Sequence, residues 1–169
     1  MAGHASDWVG AEMRGGLIRI TGDAGGQIGA AYRGSLSGMN GGTILVGGSA
    51  GIEIGMRMRR GVIAVGGRAR DFAGLQMKGG TIVLKGGAEL RTGAWMVRGT
   101  IIALEPVRLL PTFAYACDYN PTFVRLYAKY LESVGVSIPC GAVGVYRRYT
   151  GDASVPGKGE ILVWTPHAR

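Results

Sequence analysis

Short apolar runs separated by glycine recur from about residue 13 to about residue 105. The runs are rich in Ile, Val and Thr, as in TILV at residues 43–46. β-Branched residues favour extended strands, and clustered glycines mark the turns between them. No apolar run approaches the roughly 18 residues of a membrane helix. The pattern therefore predicts many short strands joined by tight turns, and no membrane span.

The runs belong to a repeat of 19 residues. When Met is counted as position one, units begin at residues 13, 39, 58, 77 and 96, and the first interval contains about seven extra residues within 31–38. Four positions are nearly invariant within this chain. Position four is Gly16, Gly42, Gly61, Gly80 and Gly99; position six is Ile18, Ile44, Ile63, Ile82 and Ile101; position twelve is Ala24, Ala50, Ala69 and Ala88; position seventeen is Gly29, Gly55, Gly74 and Gly93.

A unit of 19 residues is too short for two helices and too rich in glycine for one. Stacked units of this kind build an all-β solenoid whose coils lie about 4.8 Å apart, so that equivalent positions form ladders. We expect the isoleucines to point inward and the alanines to lie where the interior is narrow. The glycine columns should mark corners that need positive φ or a close backbone approach. The handedness does not follow from the repeat.

The first residues match the later part of a unit, so the chain opens in the middle of a coil. A solenoid end exposes unpaired strand edges and normally carries a cap. Two interpretations stay open: another subunit covers this end, or a longer parent chain has lost its first coils.

The repeat stops after Pro106, which divides the chain into a solenoid at 1–105 and an extension at 106–169. Asn120-Pro121 is typical of a helix start, and apolar residues then follow at helical spacing. The extension should contain an amphipathic helix at about 121–134 and a hairpin at about 141–164. They are expected to pack across a face of the solenoid or over its last coil as a cap.

Groups suited to catalysis are scarce. The two histidines, His4 and His167, lie near the ends of the sequence. Glu53, Asp71 and Glu89 occupy different repeat positions, which favours solvated corners over a catalytic pair. The sequence predicts neither a catalytic residue nor a metal ligand in this chain.

The cysteines and the N-terminus indicate the compartment. Cys117 and Cys140 have no metal-binding spacing, and Cys117 fits a small buried residue better than a nucleophile. A disulfide between them stays open. The N-terminus lacks the basic and apolar segments of a signal peptide. We therefore expect a cytoplasmic protein.

A net charge of +8 suggests an anionic partner. Positions two and three of the repeat carry five basic residues, which a solenoid would align along one edge. One interpretation is a solvated edge that is guarded against strand pairing; the other is a track for a flexible polyanion. The aromatic residues do not alternate with these cations, so nucleic acid is not predicted. The basic stripe consists of Arg14, Arg59, Arg60, Lys78 and Arg98.

The pattern M-x-G-G-x-I-x-V-x-G-x-A-G-x-x-x-G resembles the right-handed parallel β-helix at the C-terminus of glutamate synthase. It is more similar to the C subunit of the formylmethanofuran dehydrogenase family. The resemblance continues through PTF at 111–113, NPTFVRLYAKYLESVG at 120–135, and YRRYTGD and GKGEILV within 146–163. This tail looks like the version in the formyltransferase/hydrolase complexes of methylotrophic bacteria. The family's C subunit normally has more coils ahead of the point that corresponds to residue 1.

The resemblance implies a hetero-oligomer in which amidohydrolase-like and formyltransferase subunits perform the chemistry and the C subunit carries no catalytic residue. Such a complex moves a formyl group between methanofuran or methylofuran and tetrahydromethanopterin, and this chain alone binds no cofactor. Archaeal relatives with a tungsten or molybdenum subunit are the alternative assembly. A stand-alone basic binding module is the other alternative. The polyglutamate tail of the furan cofactor is a candidate partner for the basic stripe.

Overall fold

The computed structural model describes residues 2–138 and 144–165. These residues form eight strands and one helix, and the strands make one sheet in the order β1-β2-β3-β4-β5-β8-β7-β6. The predicted β-rich fold is confirmed. His167, Cys140 and the start of the predicted hairpin at 141–143 lie outside the described residues. The elements are β1 (Arg14–Ile20), β2 (Asn40–Val46), β3 (Arg60–Val65), β4 (Lys78–Leu84), β5 (Arg98–Ala103), β6 (Ala114–Tyr119), α1 (Thr122–Ser133), β7 (Val145–Gly151) and β8 (Gly159–Thr165).

The first five strands pair in parallel and stack equivalent repeat positions. Ile18, Ile44, Ile63, Ile82 and Ile101 are successive partners, and Ile161 of β8 continues the row. The alanines of position twelve form a second row of parallel bridges that begins at Ala5. Four of the five repeat isoleucines, those at 44, 63, 82 and 101, are fully buried. Both predicted ladders are therefore confirmed.

Glycine at positions four and seventeen supplies backbone that other residues adopt only with strain. Every glycine in these two columns has positive φ, from +64° at Gly29 to +108° at Gly99. This confirms the predicted corners. The structure adds two columns that the sequence did not predict, since positions fifteen and nineteen also have positive φ without being glycine. Position nineteen is occupied by Arg57, Gln76 and Trp95 in three successive units.

Two apolar clusters lie on opposite faces of the stacked strands. The interior cluster contains the buried isoleucine, methionine and alanine columns. The residues that alternate with them, such as Leu45 and Val83, face outward and pack against α1 through Val124, Ala128 and Leu131. The Tyr130 hydroxyl also lies 2.7 Å from Thr43 Oγ1. The helix therefore crosses the outer face of the sheet.

The helix begins one residue later than its sequence motif suggested. Pro121 is the N-cap, with extended backbone and no capping side chain, where Asn120 was expected.

No helix in the described part of the chain is long and apolar enough to cross a membrane.

The residues that follow the repeat extend the sheet. Strand β8 pairs in parallel with β5 and antiparallel with β7, and the unpredicted strand β6 adds to β7 at the edge. Strand β6 lies at the edge of the sheet, and five of its six residues are exposed in the described structure. Cys117 lies on this strand with an exposed thiol, so its interpretation as a buried residue was wrong.

Candidate polyanion-binding cleft

The basic stripe lies at the N-terminal ends of the parallel strands. Arg14, Arg60, Lys78 and Arg98 are the first residues of β1, β3, β4 and β5, and Arg59 directly precedes β3. Parallel pairing sets Arg60 beside Asn40 and Arg98 beside Lys78. The same edge of each unit therefore presents a cation.

Four of the five stripe residues line one depression of about 680 Å³, which we call the basic cleft: Asn40, Arg59, Arg60, Lys78, Val97 and Arg98. The fifth, Arg14, lines an adjoining depression of about 360 Å³ that shares Asn40 and Arg59 with the cleft. Glu12 lies at that far end. The structure thus brings the stripe together as a continuous surface, and among the described residues that line the two depressions Glu12 is the one carboxylate.

Within the described residues, the arginines of this surface are not neutralised by carboxylates. Arg14, Arg59, Arg60 and Arg98 are exposed. Among residues 2–138 and 144–165 no carboxylate forms an ion pair with any of them, although five ion pairs form elsewhere. A bound polyanion could therefore contact these guanidinium groups without breaking an internal salt bridge.

Lys78 has a different role from the arginines. Its side chain is half-buried, and Nζ donates a 2.8 Å hydrogen bond to the Leu36 carbonyl oxygen. Arg57 Nη1 donates a 2.5 Å hydrogen bond to the Ser35 carbonyl oxygen of the same segment. The extra residues at 31–38 are therefore fastened beside the cleft by two cations. The sequence showed the insertion but not this contact.

The carboxylates considered as catalytic candidates are engaged in local contacts. Glu53 accepts a hydrogen bond from Gln27, Glu89 is 3.8 Å from Arg70, and Asp71 binds Arg91. The Leu90 amide and the Arg91 guanidinium, in that order, hold the pKa of Asp71 below its ordinary value. The described residues contain no group of three or more His, Cys, Asp or Glu side chains placed to hold a metal ion.

A buried carboxylate holds Trp95 beside the cleft. Asp152 is 2% exposed and accepts hydrogen bonds from the Trp95 amide (2.8 Å) and the Ser154 amide (2.9 Å). Burial opposes ionisation, but hydrogen bonds from the Ser154 and Trp95 amides, among others, outweigh it and lower the pKa of Asp152 from 3.8. The charged carboxylate therefore fastens the β7–β8 turn to the backbone of Trp95.

The Asp152→Asn substitution should lower the free energy of unfolding at pH 7 by about 1–3 kcal/mol, because an amide cannot accept at both former oxygens. A carboxylate whose pKa falls on folding stabilises the native state above its unfolded pKa of about 3.8. This contribution disappears as the pH falls through the folded-state pKa. Urea unfolding between pH 7 and pH 2.5 should show the difference between parent and variant shrinking only below about pH 4. A difference that stays constant over this range would contradict the assignment.

No protein-family model matches the chain, but the chain is similar to a curated protein and to a solved structure. The C subunit of the formyltransferase/hydrolase complex Fhc from Methylorubrum extorquens is 42% identical over 55 residues, which are 32% of this chain and 21% of that protein. The crystal structure of the FhcABCD complex from the same organism, determined with methylofuran, contains a chain of similar fold. The TM-score is 0.85 at 39% identity, over 97% of this chain and 64% of that one.

The structural match includes the tail as well as the repeat, since only 3% of this chain lies outside it. The chain spans less than two thirds of the length of either relative. The predicted resemblance to the C subunit of the formyltransferase/hydrolase complex is thereby confirmed, in sequence over 55 residues of that subunit and in fold by a chain of the FhcABCD complex.

Proposed function

We propose that this chain is a non-catalytic scaffold subunit of a formyl-transfer complex in tetrahydromethanopterin-linked one-carbon metabolism. The observation that carries the proposal is the 39% identity and TM-score of 0.85 over 97% of the chain to part of FhcABCD. Its partners would be amidohydrolase-like and formyltransferase subunits in a cytoplasmic hetero-oligomer. The complex, and not this chain alone, would use methanofuran or methylofuran and tetrahydromethanopterin.

We further infer that residues 1–105 form a right-handed parallel β-helix of 19-residue coils, and that residues 106–169 supply its helix and hairpin cap. The in-register parallel pairs and the alanine bridges at the repeat spacing support this architecture. The handedness follows from the resemblance. A rigid stack of this kind would suit a scaffold, because it presents a long surface without requiring movement.

The basic cleft would guide the polyglutamate tail of the furan cofactor. The tail is a flexible polyanion, and the cleft offers a row of exposed guanidinium groups that form no ion pair with any described carboxylate. Exposed ion pairs contribute about 0.2–1 kcal/mol each. Four or five of them give about 1–5 kcal/mol, which corresponds to a Kd of about 0.2 mM or weaker. Such a surface would keep the polyglutamate tail near the complex while leaving the tail free to move along it.

The triple variant Arg59→Gln, Arg60→Gln, Arg98→Gln should slow turnover of the long-tailed cofactor by the purified complex. Three lost ion pairs predict a fall in kcat/KM of about 3- to 100-fold. Lys78 stays unchanged because its ammonium group holds the 31–38 segment. The measurement compares cofactor with a full tail and cofactor with the tail removed, and only the first should be affected.

A matched control removes the same charge elsewhere. Arg68, Arg108 and Lys129 are exposed and lie outside the cleft, so their joint replacement by Gln changes the net charge equally. If both triple variants slow the complex to the same extent, or if tail-less cofactor is slowed as much as the full one, the cleft does not guide the tail.

Native mass spectrometry of the assembly purified through this chain from its own cells tests the subunit role. Larger partners in a fixed ratio are expected. A lone monomer or homo-oligomer would instead favour the stand-alone basic module. The similar protein and the similar solved structure both come from a formyltransferase/hydrolase complex, which favours that assembly over the tungsten or molybdenum dehydrogenase.

A further inference from the structure

Three separate segments meet in a shallow apolar depression next to the basic cleft. It is formed by the 31–38 insertion, the corner of the unit that ends at Trp95, and the turn between β7 and β8. Its volume is about 410 Å³, and it adjoins the cleft through Lys78 and Val97. We call it the apolar notch: Leu36, Trp95, Val97 and Val155, with Arg57, Gln76 and Lys78 at its rim.

The notch exposes two large apolar side chains that packing of the repeat does not require. Leu36 is 71% exposed and Trp95 is 47% exposed. Leu36 belongs to the insertion, and Val155 belongs to the turn beyond the repeat. Neither segment is constrained by the 19-residue stacking, yet both converge on Trp95.

Hydrogen bonds hold these exposed groups in place. The Leu36 carbonyl accepts from Lys78 Nζ, and the backbone amide of Trp95 donates to buried Asp152. Arg57 Nε donates a 2.7 Å hydrogen bond to Gln76 Oε1, which connects the rim across two units. A surface that is ordered before binding loses less entropy on association than a mobile one.

The openness of the notch favours a protein surface over a small ligand. Ligand pockets usually bury about 70–90% of their occupant, which walls as exposed as Leu36 and Trp95 cannot do. Trp and Arg are enriched among the residues that dominate protein interfaces. No carboxylate among the described residues lines the notch, and none of them forms an ion pair with Arg59 or Arg98 in the cleft beside it. Its charge therefore complements an acidic partner.

We propose that the apolar notch docks a segment of a partner subunit that inserts one apolar side chain between Leu36 and Trp95 and places carboxylates against the cations of the rim. This inference rests on the proposed function, because it requires a hetero-oligomer. It assigns one specific contact surface to this chain, distinct from the guidance of the cofactor tail.

The test compares two leucines of nearly equal exposure. Leu36 in the notch is 71% exposed, and Leu126 on the outer side of α1 is 70% exposed. In the assembly purified through the tagged chain, Leu36→Asp should lower the occupancy of one partner subunit by about tenfold or more, as expected for a central interface contact. Leu126→Asp should leave the assembly unchanged. Native mass spectrometry measures the occupancy, and circular dichroism establishes that both variants fold.

A second variant avoids the introduced charge. Trp95→Ala should lower the occupancy of the same partner subunit without adding a carboxylate. If Leu36→Asp does not fold, Trp95→Ala takes its place in the test. A photo-cross-linking benzoylphenylalanine at position 36 should capture a peptide of that subunit in which an apolar residue neighbours Asp or Glu. Capture of a basic peptide would overturn the proposed chemistry.

The outcomes separate this inference from the proposed function. Full assembly with both notch variants overturns the docking proposal alone and leaves the proposed subunit role intact. A parent chain that purifies without partners overturns both. Full assembly of the notch variants combined with slower turnover of the tailed cofactor would make the notch a ligand subsite, which also overturns docking of a partner segment.

Discussion

Gly61→Ala should lower the free energy of unfolding by about 3 kcal/mol, one of the two largest effects expected for a single substitution here. Gly61 has φ of +100°, and a Cβ built at this position would lie 2.7 Å from the Gly42 carbonyl oxygen of the preceding unit. A residue with a Cβ is strained by about 1–2 kcal/mol at positive φ. The steric contact adds about 1–3 kcal/mol because backbone of the neighbouring unit must shift. Urea unfolding followed by circular dichroism measures the difference.

Gly15→Ala is the matched control. Gly15 lies in β1, its φ is not in the positive range, and a Cβ there would have no atom within 4 Å. The free energy of unfolding of this variant should stay within about 0.5 kcal/mol of that of the parent. Equal destabilisation by both substitutions would show that the close contact between successive units at Gly61 does not determine the effect.

Ile82→Ala should lower the free energy of unfolding by about 2–5 kcal/mol, the range for truncation of a buried isoleucine side chain. Ile82 is fully buried, is paired with Ile63 and Ile101, and places Cδ1 against Gly55 of the neighbouring corner. Its removal leaves a cavity in the middle of the ladder, where the strands above and below cannot move together without losing register. The same unfolding measurement applies.

Ile52→Ala provides the comparison for this prediction. Ile52 is 40% exposed, so the same truncation should cost less than about 1 kcal/mol. A loss at Ile82 no larger than that at Ile52 would mean that the inner row is loosely packed, contrary to the observed burial.

The ladders that stabilise the fold also concentrate its charge. Stacking at one period places positions two and three of successive units above one another, so cations far apart in the sequence become neighbours at one edge. Packing at position six thus brings the cleft together. We expect substitutions such as Ile82→Ala to weaken the cleft only by unfolding it.

The sequence by itself determined the repetitive part of this protein. Isoleucine, alanine and glycine columns recur at 19 residues, and the structure stacks each column as predicted. The reason is that units of equal length stack in register, so that equivalent positions of successive units come into contact. The basic stripe follows from the same regularity, and the helix was visible because its apolar spacing is local.

Only the tertiary structure decided the contacts between segments that do not repeat. It placed the insertion over Lys78, tied Trp95 to the distant Asp152, laid α1 on the outer face of the sheet, and left Cys117 exposed on an edge strand. The sequence showed no period or local pattern that links these partners. Their positions depend on which surfaces the folded stack leaves uncovered, because α1 buries its apolar side against the outward-facing residues and the insertion binds the cations beside it.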